Sequence, residues 1–162
     1  MKHKICVVNE FLTPAHKAKI QATADRNGCA LQFFDSREQA QGQLTDCDIL
    51  YSHFPELPRQ APDLKWYCCA FAGVDPYMAP GVFPNDTCLL TNSAGAYGVT
   101  ISEHMIMVTL MLLRKMQEYQ AGIARREWLA NLPVRSILGS HITVLGTGDI
   151  GSNFARRVKA MG

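Results

Sequence analysis

Residues 141–162, HITVLGTGDIGSNFARRVKAMG, set an apolar run against three glycines and then a helical pattern. Gly146, Gly148 and Gly151 fit G-x-G-x-x-G. In that spacing the first glycine makes a tight turn, the second lets backbone approach a pyrophosphate, and the third lets the helix pack closely on what precedes it. The run at 142–145 (ITVL) predicts a β-strand ahead of the turn, and Phe154, Ala155 and Val158 predict the inner face of a helix behind it. A complete βαβ unit takes about 30 residues or more, and the acidic residue that holds the ribose lies about 20 positions on. Sixteen residues follow Gly146, and none after Gly151 is acidic. The expectation is the opening of a dinucleotide fold without the rest of it.

Composition narrows the alternatives. A chain of 162 residues, 48% hydrophobic, is long enough for a real core and fits one domain or one and a half. Sixteen basic and 14 acidic residues are mixed along it for a net charge of +2, which makes no electrostatic case for nucleic acid or a membrane surface. Six cysteines, at 6, 29, 47, 68, 69 and 88, lack C-x-x-C spacing and mostly sit in apolar segments, where a thiol acts as a small hydrophobe. A reduced, cytoplasmic protein is expected. The N-terminal apolar stretch is too short for a signal peptide, and the run at 105–113 falls far short of the roughly 20 residues that span a bilayer. No His, Cys, Asp or Glu spacing suggests a metal site.

The first hundred residues alternate short apolar runs with polar or helical connections, the pattern of an α/β domain built on a parallel sheet. Strands are expected at 4–8, 31–34, 48–51, 66–70 and 89–91. Between the first two, Thr13 caps a helix, Pro14 takes its first position, Ala15, Ile20 and Ala24 form its inner stripe, and Gly28 ends it. A second helix starts near Ser36. The segments 54–58 and 72–84 concentrate proline and glycine and read as loops after strands, where ligands sit in parallel sheets. Thr100-Ile101-Ser102-Glu103 reads as a capping box opening a helix to about Gln120. Its segment 104–113 is almost wholly apolar, which predicts burial on several faces between domains or subunits. An irregular arm with Trp128 and Pro133 follows.

Three ordered stretches resemble the D-isomer-specific 2-hydroxyacid dehydrogenases, enzymes that interconvert 2-keto and D-2-hydroxy acids with nicotinamide dinucleotides. Leu64-Lys65-Trp66 leading to Ala72-Gly73-Val74-Asp75 resembles the family's substrate loop after the fourth strand. Asn92-Ser93-Ala94-Gly95-Ala96-Tyr97 into Ser102-Glu103-His104 resembles its entry to the interdomain helix. The third stretch runs from Leu138-Gly139 through the glycine turn to Gly162. The resemblance implies a flavodoxin-like substrate domain at 1–99. At 100–162 it implies the interdomain helix, the arm and the first βα unit of a truncated, NAD(P)-binding Rossmann domain. It implies that this is the N-terminal half of an oxidoreductase moving hydride between NAD(P)H and a small 2-keto acid. No position here matches the family's catalytic arginine, glutamate and histidine motifs, so no catalytic residue is assigned and activity of this chain alone is left open.

Substrate binding falls to the backbone amides of Ala72, Gly73 and Val74, which resemble the family's carboxylate cradle; a tight turn that needs a glycine is the structural alternative. His53, after the third strand, points toward the same cleft, or is simply a structural or solvated histidine. The Glu103–His104 pair is not read as catalytic, because Glu103 belongs to the capping box and His104 fits a satisfied buried imidazole. For the cofactor, NAD or NADP, the amides around Gly148, Asp149 and Ile150 face the pyrophosphate, with Gly146 and Gly151 shaping the turn. By family position Tyr97 and Thr100 lie near the nicotinamide. Without a ribose-binding residue the chain is expected to bind dinucleotide weakly or not at all. An unpaired edge at 142–145 needs cover, so a homodimer is expected through the 100–132 helix and arm, with Ile106, Leu110, Leu113, Trp128 and Leu132 as candidates. Two other readings stay open: a non-catalytic flavodoxin-like binding or dimerisation module, and a methyltransferase fragment.

Overall fold

β1 (Lys4–Val8) buries Cys6, Val7 and Val8 in succession, so it is covered on both faces, as apolar runs in parallel sheets are. The structure, a computed structural model, describes residues 2–162. These divide into two units, Met1–Ala94 and Gly95–Gly162.

In the first unit, α1 (Pro14–Arg26) connects β1 to β2 (Ala30–Phe34). Thr13 accepts from the His16 amide while its own N–H donates to His16 Nδ1, a capping box with histidine in the usual Glu or Gln position. Asn27 closes the helix and Gly28, at φ 66°, takes the left-handed turn after it. Of the expected inner stripe only Ala24 is buried, Ile20 is half-buried and Ala15 is exposed. Ser36 caps the short α2 (Arg37–Ala40), and β3 (Ile49–Ser52), β4 (Trp66–Cys69) and β5 (Leu89–Thr91) complete the sheet. All pairings are parallel, in the order β2-β1-β3-β4-β5 of a flavodoxin-type doubly wound sheet. The core gathers Cys6, Val8, Phe34, Leu44, Leu50, Leu57, Leu64 and Tyr67. Cys6, Cys47 and Cys69 are buried free thiols within it.

The second unit holds α3 (Gly98–Leu113), α4 (Met116–Ala124) and α5 (Asp149–Ala160), with α3 packed on α5. Several expectations fail here. α3 begins at Gly98, two residues before Thr100, and no side chain caps it. The Thr100 hydroxyl instead donates to the Tyr97 carbonyl at 3.3 Å, so the capping box does not form. A Cβ on Gly98 would lie 2.3 Å from an Asp149 carboxylate oxygen and 2.5 Å from the Asn153 side-chain nitrogen, so the start of α3 rests directly against these side chains of α5. The helix also stops early. Lys115 sits at φ 57° and splits the expected single rod into α3 and α4. On the single chain Val99, Met107, Val108 and Leu112 of α3 are exposed, and His104, expected as a buried imidazole, is exposed as well.

Residues 142–145 are not assigned as a strand. Strand character requires a ladder partner, and Gly95–Gly162 contains no strand to supply one; Leu145 is wholly exposed. Among the described residues no helix is long and apolar enough to cross a membrane.

Candidate functional site

The strand order reverses direction between β1 and β3, and open α/β sheets bind ligands outside the carboxyl ends of the strands at such a switch point. Asn9, Glu10 and Phe11 follow β1 there, and His53 and Phe54 follow β3. Asn9 is buried and its side-chain carbonyl accepts from the Phe11 amide at 2.8 Å, which turns the chain sharply as it leaves the strand. The His53 side chain is nine-tenths buried, with Nε2 3.4 Å from Glu10 Oε1 and Nδ1 buried without a partner. Its ring lies 4.0 Å from Phe54, 4.9 Å from Phe71 and 5.8 Å from Phe11, centroid to centroid.

The loop after β4 is held by its carbonyls. Phe71 O accepts from the Ser93 amide at 3.1 Å, Ala72 O from the Asn92 side chain at 2.6 Å, and Cys69 O from the Ser93 hydroxyl at 3.2 Å. The amides of Ala72, Gly73 and Val74 donate to no atom among the described residues, and the residues are exposed or half-buried. A row of fixed, unspent N–H groups can take an anion. Gly73 has ordinary φ and open space where a Cβ would stand, so the tight-turn alternative does not explain it. Beneath this end, the Tyr67 hydroxyl meets the Tyr77 hydroxyl at 3.3 Å and the Phe54 carbonyl at 3.4 Å, and burial pushes both phenols above the ordinary tyrosine value. They are neutral supports.

In the second unit the three glycines divide their roles as the spacing requires. Gly146 sits at φ 92°, in the left-handed region. Gly148 has open space at its Cβ position. At Gly151 a Cβ would lie 2.0 Å from the Gly146 carbonyl oxygen, so only glycine lets the helix seat on the turn. The first intrahelical bond of α5 runs from the Ser152 amide to Gly148 O, and no side chain caps the helix. The amides of Asp149, Ile150 and Gly151 are therefore free for a phosphate, with the helix dipole adding about 0.3–1 kcal/mol. The Asp149 carboxylate accepts from the Asn153 side chain at 2.9 Å and lies against Gly98. That contact draws Tyr97 and Thr100 to the same end of α5, within one unit.

Sequence reasoning missed Phe11, Phe71 and Glu10 around His53. Nothing local marks them, since they converge only once the strand order is known.

Fold and site together describe an α/β chain with exposed backbone amides in the loop after β4 of a parallel sheet and a G-x-G-x-x-G turn in its second unit. Residues 106–162 match the family model described as "D-isomer specific 2-hydroxyacid dehydrogenase, NAD binding domain". Over this stretch the chain is similar to the NAD-binding domain of the D-isomer-specific 2-hydroxyacid dehydrogenases. It is 34% identical over 76 residues to D-3-phosphoglycerate dehydrogenase 3, chloroplastic, of Arabidopsis thaliana, covering 46% of this chain and 13% of that protein. To the glycerate dehydrogenase of Methylorubrum extorquens it is 25% identical over 111 residues, covering 64% of this chain and 35% of that one. The crystal structure of a D-isomer specific 2-hydroxyacid dehydrogenase family protein from Aeromonas salmonicida superposes with a TM-score of 0.85 at 24% identity, over 100% of this chain and 52% of that one. An NADPH-dependent glyoxylate/hydroxypyruvate reductase from Sinorhizobium meliloti, in complex with NADP and sulfate, gives 0.74 at 24%, over 99% and 50%. The chain thus spans about half the length of these solved structures and a smaller share of the curated relatives.

Proposed function

We propose that residues 1–99 bind the acid and residues 100–162 begin the nucleotide site of an oxidoreductase moving hydride between NAD(P)H and a small 2-keto or D-2-hydroxy acid. The observation that carries this reading is the set of unspent amides at Ala72, Gly73 and Val74, braced by Asn92 and Ser93 at the carboxyl end of a parallel sheet. They hold the substrate carboxylate without a counter-charge, and His53 flanks the bound acid. When bound, the dinucleotide supplies the hydride. Gly146, Gly148 and Gly151 admit its pyrophosphate to the amides of Asp149 and Ile150, and Tyr97 and Thr100 lie on the nicotinamide side. Among these 162 residues none matches the family's acid–base motifs, so this segment binds and orients and assigns no proton-transfer group of its own. The exposed apolar residues of α3 and the nine-tenths exposed Trp128 support a homodimer through this helix and arm.

The test is a titration of the isotopically labelled chain with glyoxylate, read at backbone amides. Shifts concentrated at Ala72, Gly73, Val74 and His53 are expected. Saturating glyoxylate that leaves those amides unmoved contradicts the assignment.

A further inference from the structure

The acid cradle is bordered by an aromatic patch whose chemistry says what the acid carries besides its carboxylate. Phe71 directly precedes the cradle and is 46% exposed, while Phe11 is 66% exposed. Both rings stand beside the imidazole of His53, with Phe54 packed behind it against the core. The imidazole has little polar capacity left for a ligand. With its proton on Nε2, toward Glu10, it buries a bare lone pair at Nδ1, whereas the other tautomer would bury an N–H donor without an acceptor, a costlier arrangement. What His53 and its neighbours offer to a ligand is ring surface.

The charges point the same way. The loops at this end, residues 9–13, 53–57, 71–77 and 92–94, contain Glu10, Glu56 and Asp75 and no lysine or arginine. On the helices that follow β1 and β2, Arg37 is engaged by Glu38 and Glu56, and Lys17 by Asp35. A second anionic group on the substrate finds carboxylates and no cation in these loops, which is the repulsive half of a specificity device. An apolar ring finds two half-exposed phenyls in offset reach.

We propose that this site selects monoanionic 2-keto acids with an aromatic or bulky apolar side chain, seated on Phe11 and Phe71, and that Glu10 works against substrates bearing a second carboxylate or a phosphate. The proposal rests on the acid-binding reading given above. It separates this chain from relatives named as phosphoglycerate dehydrogenases, at the level of the substrate's far end.

The experiment titrates the full 162-residue chain with phenylpyruvate, glyoxylate and oxaloacetate, reading amide shifts. Phenylpyruvate should bind about tenfold tighter than glyoxylate, a difference of about 1.4 kcal/mol, and should add shifts at Phe11 and Phe71. Oxaloacetate should bind no better than glyoxylate. Phe71→Ala, with Phe11→Ala as a second variant should the first perturb the loop, should erase the phenylpyruvate advantage while leaving glyoxylate unchanged. Glu10→Gln should improve oxaloacetate several-fold. If glyoxylate moves Ala72–Val74 but phenylpyruvate binds no tighter, or oxaloacetate binds tightest, the selectivity is refuted and the acid site stands. If no keto acid moves those amides, both fall.

Discussion

Replacing Gly151 with alanine tests whether the glycine turn is packed as a nucleotide-fold turn or merely looks like one. The added Cβ would stand 2.0 Å from the Gly146 carbonyl oxygen, 3.1 Å from its carbon and 3.3 Å from Val144 Cγ1. Carbon meets a carbonyl oxygen at about 3.3 Å, so roughly 1.3 Å of displacement is required. The obstacle is backbone, fixed by a left-handed residue on one side and the first turn of α5 on the other, so no side-chain rotation relieves it. Overpacking of this kind costs about 1–3 kcal/mol, which corresponds to roughly 5- to 150-fold faster amide exchange in α5. Gly148→Ala is the control. Its Cβ meets nothing within 4 Å and its φ of −68° is ordinary, so stability should change by less than about 1 kcal/mol. Hydrogen exchange read residue by residue across 149–160 separates the two. Exchange in Gly151→Ala within about twofold of wild type would refute the close packing of helix on turn, and with it the division of roles among the three glycines.

Further expectations can be checked together. Leu50→Ala, in a fully buried position of β3, should cost about 2–5 kcal/mol by urea denaturation of the first unit, and a loss below 1 kcal/mol would mean the core is not centred there. Thr13→Ala removes half of the α1 capping box and should cost about 1 kcal/mol in the same assay. The Lys65 ammonium and the Lys4 amide hold the Asp48 carboxyl below its ordinary value, so its stabilisation is present above the unfolded pKa of about 3.9 and is lost as pH falls through the folded value. Asp48→Asn should therefore flatten the acid limb of the stability profile below about pH 4 and leave its alkaline limb alone. Light scattering should return about twice the 18.0 kDa of one chain, and Trp128→Ser with Leu112→Ser should shift it toward one.

The parallel sheet was readable because its strands are short β-rich runs bounded by turn residues, and β1 and β5 fall at the expected limits. Gly146 and Gly151 were readable because each meets a backbone demand, a left-handed φ and a close contact, that no other residue meets. Two expectations failed for reasons no local pattern holds. The Thr100–Glu103 capping box does not form because α3 already begins at Gly98, which leaves Thr100 inside the first turn with its hydroxyl donating to the Tyr97 carbonyl. The run at 142–145 has strand composition but no ladder partner within its unit, and composition alone does not make a strand. The surroundings of His53 were illegible because Glu10 and Phe11 lie more than forty positions away along the chain, and only the β1–β3 pairing brings them to it.

The most direct measurement is a crystal structure of the chain with oxamate, an inert mimic of a 2-keto acid. The account predicts its carboxylate within about 2.7–3.2 Å of the amides of Ala72, Gly73 and Val74, beside the imidazole of His53. Oxamate seated instead at the opposite end of the sheet, in the groove lined by Lys2, His3, Lys19 and Ile20, would contradict it.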